Sequence, residues 1–278
     1  YLAGIAYVET GMLALGMCAL AALLPAVRGC PDLVRRSALA GLLAGLACGF
    51  KYTAVPLIAM PLVLLVLGAR APWGRRLMAA TMLGVTAFVA FSPWMVRNVV
   101  NTGNPVFPLA YRFLGAEPGV WDGQLQDRWQ RAHGWEEWEE GDVPLWWRAV
   151  ERTIGDFRMG GISLAAGDRA HGEDRFRYHV IPGALFILAF VGLVHARDRS
   201  TWLLLLVLIV QVGVWVLATH LFARFAVVMA LPLIVLASSA LAPRPQQVIG
   251  AGRTGRILVF TLLMIGAAVN LYQFGTVY

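Results

Sequence analysis

The chain has 278 residues, 59% hydrophobic and 14% charged, with a formal net charge of +7. A soluble domain carries about 25% charged residues, so this composition excludes an ordinary soluble enzyme. The basic excess would suit nucleic acid, but it sits in short loops between apolar blocks, which excludes that partner.

Eight apolar segments follow one another, at roughly 3–27, 37–50, 53–68, 77–96, 179–195, 201–219, 225–241 and 256–272. Blocks of this kind are read as membrane helices, because lipid offers the backbone no partner outside a helix. The expected fold class is therefore an all-α, polytopic helical bundle. It divides into residues 1–96 with segments one to four, an outer loop 97–178, and residues 179–278 with segments five to eight.

The short loops set the expected orientation. Loop 28–36 carries Arg28, Arg35 and Arg36, and loop 69–76 carries Arg70, Arg75 and Arg76. Loop 196–200 carries Arg197 and Arg199, and loop 242–256 carries Arg244, Arg253 and Arg256. Against these eleven stand two acidic residues, Asp32 and Asp198. The positive-inside rule places all four loops in the cytoplasm. The long stretch 97–178 has ten Arg against thirteen Asp and Glu, and so belongs outside.

Residues 37–68 must then leave the cytoplasm and return. Arms of 14 and 16 residues reach about 21 and 24 Å, short of the roughly 30 Å core. The apex at Lys51 and Tyr52 is expected slightly below the outer surface. Pro56 and Pro61 predict an irregular second arm. Gly41, Gly45 and Gly49 recur every four residues, a spacing that lets membrane helices approach closely.

The outer loop holds six of the ten Trp: Trp121, Trp129, Trp135, Trp138, Trp146 and Trp147. Residues 145–158 predict an amphipathic helix, with Trp146, Val150, Ile154 and Phe157 on one face. Asp142 is its candidate cap and Pro144 suits its first turn. The WEEWEE run at 135–140 reads either as a solvated helix face or as a sugar-binding stretch through its Trp. Cys18 and Cys48 lie in apolar blocks and Cys30 in a basic loop, so no disulfide is expected.

Ionisable residues at membrane depth are functional candidates by default. Glu9, Lys51 and Arg224 lie near the outer ends of their segments, and Arg97 follows the fourth span at the same level. Glu9 is either a site carboxylate or an interfacial residue. Lys51 and Arg224 are either ligand cations or snorkelling side chains. His220 shares a helix face with Arg224, as a ligand or as an interface residue. Three cations around one carboxylate suit an anionic ligand, with phosphate the natural choice. A phosphate arriving in the membrane plane belongs to a lipid. Neither paired metal-ligand spacing nor a nucleotide-binding Gly loop is present, and no cofactor is expected.

Four segments carry a resemblance together: AYVETGM (6–12), GLLAGLACGFKYTA (41–54), SPWMVRNVVNTGNPVFPL (92–109) and HLFARFAVVMALPL (220–233). They resemble the membrane-embedded C-type glycosyltransferases that take sugar from a polyprenyl phosphate. That clan includes protein O-mannosyltransferases and lipid A aminoarabinose transferases. The resemblance implies a membrane glycosyltransferase acting on the outer face of a bacterial inner membrane. It implies a polyprenyl-phosphate-linked sugar as donor, a lipid, glycan or protein as acceptor, and membrane lipids as surroundings. Substrate-binding roles are implied at Glu9, Lys51 and Arg224, beside the candidates Tyr7, Tyr52, Arg97 and His220. The clan's catalytic carboxylates are expected upstream of Tyr1, in a longer protein; this chain alone is expected to be inactive. A lipid-linked sugar transporter and an O-antigen polymerase or ligase are the alternatives.

Overall fold

The computed structural model describes residues 8–117, 119, 121–133, 161–163, 179–196, 198–218 and 223–241. It divides into two compact units, Tyr1–Asp142 with Leu217–His220 and Val143–Val216 with Leu221–Tyr278.

The first unit is built on two antiparallel helices, α1 (Glu9–Val27) and α2 (Leu33–Phe50). In α1 the residues Met12, Gly16, Ala19, Leu20, Leu23 and Val27 are buried, one stripe at helical spacing. Arg36 Nη1 donates to the Ala22 carbonyl at 3.1 Å, tying the start of α2 to α1. The first arm of the hairpin is longer than hydropathy predicts. The helix already begins at Leu33, includes Arg35 and Arg36, and reaches about 27 Å in its 18 residues. Charged side chains in a first turn lower the local hydropathy without interrupting backbone hydrogen bonding.

The second arm is irregular, as Pro56 and Pro61 predict. Val55–Ala59 forms a π-helical turn in which Met60 N donates to the Val55 carbonyl. α3 (Met60–Leu67) continues it. Pro61 has no N–H for the Leu57 carbonyl and its ring would strike that carbonyl in an α-helix; the wider turn relieves both demands.

α4 (Trp73–Thr102) is 30 residues long. It outruns the predicted 77–96 segment, so the stretch expected as a loop from residue 97 leaves the helix only at Gly103. The polar run Arg97–Thr102 remains helical, with the Thr102 hydroxyl donating to the Asn98 carbonyl at 2.7 Å. Gly103, at φ 73°, then ends the helix in a left-handed turn. Gly41 and Gly45 of α2 lie directly against the Leu83 and Ala87 carbonyls of α4. Among the described residues nothing lies within 4 Å of where a Gly49 side chain would stand, so two of the three glycines form the contact with α4. The Thr86 hydroxyl lies 2.8 Å from the Ala38 carbonyl across this seam.

α5 (Tyr111–Leu114) and α6 (Gly123–His133) follow in the stretch after α4. Asp122 Oδ1 accepts from Leu125 N at 2.7 Å, a side-chain cap at the start of α6. The amphipathic helix expected over 145–158 and the segment 256–272 lie outside the described residues.

In the second unit, β1 (Gly161–Ser163) pairs antiparallel with β2 (His179–Pro182). The fifth segment is therefore helical only from Gly183, as α7 (Gly183–Ala196), its first four residues being strand. α8 (Arg199–Ala218) starts on Asp198, whose Oδ1 accepts from Thr201 N at 2.8 Å. The last described segment is α9 (Ala223–Ala226), a 3-10 turn Val227–Met229 and α10 (Ala230–Leu241). α10 packs on α7, with Gly192 against the Leu236 carbonyl and Leu188 beside Ala237.

Four of these helices, α1, α2, α4 and α8, are long and apolar enough to cross a membrane. Val55–Leu67, Leu185–Ala196 and Val227–Ala240 are shorter apolar helices. The chain is a helical protein with the helices of a membrane protein.

Candidate functional site

The end of the α1–α2 pair where α1 begins and α2 stops is also where the two helix dipoles carry opposite partial charge. Glu9 is the first residue of α1, where a carboxylate is favoured. Lys51 is the residue capping the C-terminus of α2, where a cation is favoured. The two side chains meet: Lys51 Nζ lies 2.5 Å from Glu9 Oε1. Glu9 is 1% exposed and Lys51 21%, so the ammonium is turned inward to the carboxylate rather than stretched to water. Glu9 Oε2 has no hydrogen-bond partner among the described residues.

Tyr52 turns to the other side of the apex. Its hydroxyl donates to the Phe107 carbonyl and accepts from Asn98 Nδ2 at 3.0 Å. Its ring stands edge-on to Trp94, centroids 4.4 Å apart, and Trp94 stacks on Phe91 at 5.4 Å. The apex is thereby tied to the C-terminal end of α4 and to the loop after it.

That loop is organised by Asn104, which is fully buried. Its Nδ2 donates to the Leu109 carbonyl at 2.9 Å and to the Gly115 carbonyl at 3.2 Å. Its Oδ1 accepts from Val106 N at 2.9 Å. Glu117 N closes the loop on the Thr102 carbonyl at 2.9 Å. Trp121 packs edge-on to Phe107 and donates through Nε1 to the buried Gln126 at 2.9 Å.

With this geometry in view, the comparisons are few. A family described as a domain of unknown function (DUF8201) matches residues 32–144, less than half of the chain. The match takes in α2, the apex with Lys51 and Tyr52, α4 and the Asn104 loop, and leaves Glu9 outside. No curated protein and no solved structure matches the chain.

Of the residues singled out from sequence, the structure brings Glu9 and Lys51 together and turns Tyr52 away from them to α4 and the loop after it. Arg97 is exposed on α4, and its neighbour Asn98 is the one that meets Tyr52. Arg224 lies in α9 of the second unit; its side chain, Tyr7 and His220 are outside the described residues. Asn98 and Asn104 were not singled out. A signal was present for Asn104: an amide directly after the Gly that ends a helix, where Asn commonly bonds the backbone of the turn, as it does here to Val106 N. Among the described residues no group of three or more His, Cys, Asp or Glu is placed to hold a metal.

Proposed function

We propose that this chain carries the donor-phosphate site of a multi-pass membrane glycosyltransferase using polyprenyl-phosphate-linked sugar. The observation that carries the reading is the Glu9–Lys51 pair, buried at the end of two apolar helices. Taking two charges out of water costs several kcal/mol per ion, so such a pair is a poor device for stability alone. The resemblance over four segments supplies the reaction class, and the depth of the pair supplies a lipid phosphate as the anion.

In this reading the acceptor oxygen bonds to the anomeric carbon as the bond from that carbon to the phosphate oxygen breaks. Polyprenyl phosphate leaves with the electron pair. Lys51 donates charge-assisted hydrogen bonds to that phosphate as its charge grows. Glu9 holds the ammonium in place, and its Oε2, without a partner among the described residues, is an acceptor for a donor hydroxyl. The base that takes the acceptor's proton is assigned to none of the described residues. In this reading the apex and the 103–133 stretch lie on the outer face of a bacterial inner membrane, the side that the arginine-rich short loops favour.

The topology has its own check. A thiol introduced as Gln124→Cys is expected to react with an impermeant reagent in sealed spheroplasts, and one introduced as Pro72→Cys is expected not to. The reverse pattern would place the site on the cytoplasmic side.

The function is tested on the protein as its gene encodes it, in proteoliposomes, with a panel of radiolabelled polyprenyl-monophosphate sugars. Lys51→Ala is expected to lower transfer about 100-fold or more, the loss seen when one transition-state donor is removed. Lys51→Arg is expected to retain most of it, because the cation is kept. The double variant Glu9→Leu with Lys51→Met separates folding from chemistry: it is expected to be folded and inactive. Undiminished transfer by that variant would remove Lys51 from the site. Turnover of pyrophosphate donors alone would assign the chain to the polymerase or ligase chemistry instead.

A further inference from the structure

The apolar surface of α4 does not stop where a bilayer core should. At about 1.5 Å per residue its 30 residues span about 45 Å, against a core of about 30 Å. One interface is marked near its start. Trp73 is exposed, and the Arg76 guanidinium lies 4.9 Å from its ring while bonding the Ala71 and Leu67 carbonyls. About 20 helical residues then cross the core, which brings the far boundary near Val96 and Arg97. Exposed apolar side chains nevertheless continue past it, with Val99, Val100 at 72%, Leu109, Phe113 at 90% and Leu114.

These residues are held outward by a rigid loop. The Leu109 and Gly115 carbonyls on either side of α5 are both fixed by the buried Asn104 amide. Arg112 turns to α6, where it reaches Gln130 at 3.0 Å and Asp127 at 3.9 Å. The charged side chain of α5 is thus engaged by protein, and Phe113 and Leu114 are left on the surface, in the turn that follows α4. An exposed aromatic ring beside aliphatic residues, in the turn that follows a helix running past the core length, suits the headgroup layer.

We infer that residues 109–114 form an anchor seated in the headgroup layer of the bilayer, with Phe113 and Leu114 as its inserted side chains. Lipid is the partner of this surface, whatever reaction the protein carries out. The anchor fixes the height of the Asn104 loop, and through Tyr52 that of the Lys51 apex.

Spin labelling tests this in the full protein, reconstituted in nanodiscs of phosphatidylethanolamine and phosphatidylglycerol. The free thiols Cys18, Cys30 and Cys48 are first replaced by Ala, and single labels are placed by Phe113→Cys, Leu114→Cys and, as an aqueous reference on α6, Gln124→Cys. Power saturation compares collision with oxygen, which concentrates in lipid, against collision with a water-soluble nickel chelate. The oxygen-to-nickel ratio at 113 and 114 is expected to exceed that at 124 several-fold. A ratio at both sites equal to that at 124 would show a water-facing loop and overturn the anchor. Labels shielded from both reagents would also overturn it, since protein, from this chain or a second copy, would then cover the surface.

Discussion

Removing Glu9 or Lys51 alone is expected to cost about 3–5 kcal/mol of stability, and removing both is expected to return most of that loss. A buried pair broken from one side leaves the other charge in an apolar surrounding without compensation. Glu9 is the worse residue to strand alone, since its side chain is 1% exposed. Lys51 keeps a fifth of its side chain exposed, which places the loss on Glu9→Leu at the lower end of the range. Each charge also sits at the favourable end of its helix dipole, a contribution of about 0.3–1 kcal/mol that the double variant does not recover. The measurement is a double-mutant cycle on unfolding in mixed micelles, with Glu9→Leu, Lys51→Met and the pair together. Single losses under about 1 kcal/mol, or losses that simply add, would mean the two side chains do not depend on each other. The same cycle serves the functional reading, because the double variant restores the fold while withholding the cation from phosphate.

Gly45→Leu is expected to force α2 and α4 apart, while Gly49→Ala is expected to be neutral or slightly stabilising. The contrast comes from what each side chain would meet. At Gly45 a Cβ falls on the Ala87 carbonyl, carbon and Cα, which are backbone atoms of a long helix and cannot swing aside. Overpacking of this kind costs about 1–3 kcal/mol and sometimes more, and the Thr86 contact to Ala38 along the same seam is strained with it. At Gly49 nothing lies within 4 Å, and Ala is the better helix former by about 1 kcal/mol. Unfolding midpoints of the two variants, measured side by side, decide it. An equal shift in both would mean that the glycines act through helix propensity and not through close approach.

Much of the membrane-protein character was legible from the chain. Apolar length and period depend on each residue's own transfer free energy, so the helical segments from Glu9 to Leu241 could be read before any packing was known. The glycine spacing gave the close helix contact, and two prolines gave the irregular arm. Helix ends were less legible, because hydropathy registers side chains while a helix is held by its backbone. Arg35 and Arg36 looked like loop and are helix, Arg97–Thr102 looked like the start of the outer stretch and is helix, and His179–Pro182 looked like span and is strand.

Sequence by itself also determined which few charged residues stand within or beside apolar runs, since an ionisable group there is visible one residue at a time. Tertiary structure alone decided which of them meet. Glu9 and Lys51 are 42 residues apart and touch only because α1 and α2 run antiparallel with their charged ends together. It also decided that Asn98 rather than Arg97 faces the apex, and that Asn104 is a buried keystone rather than one more polar loop residue. A side chain's chemistry is local, but its partner is set by how helices pack, and that is a property of the whole arrangement.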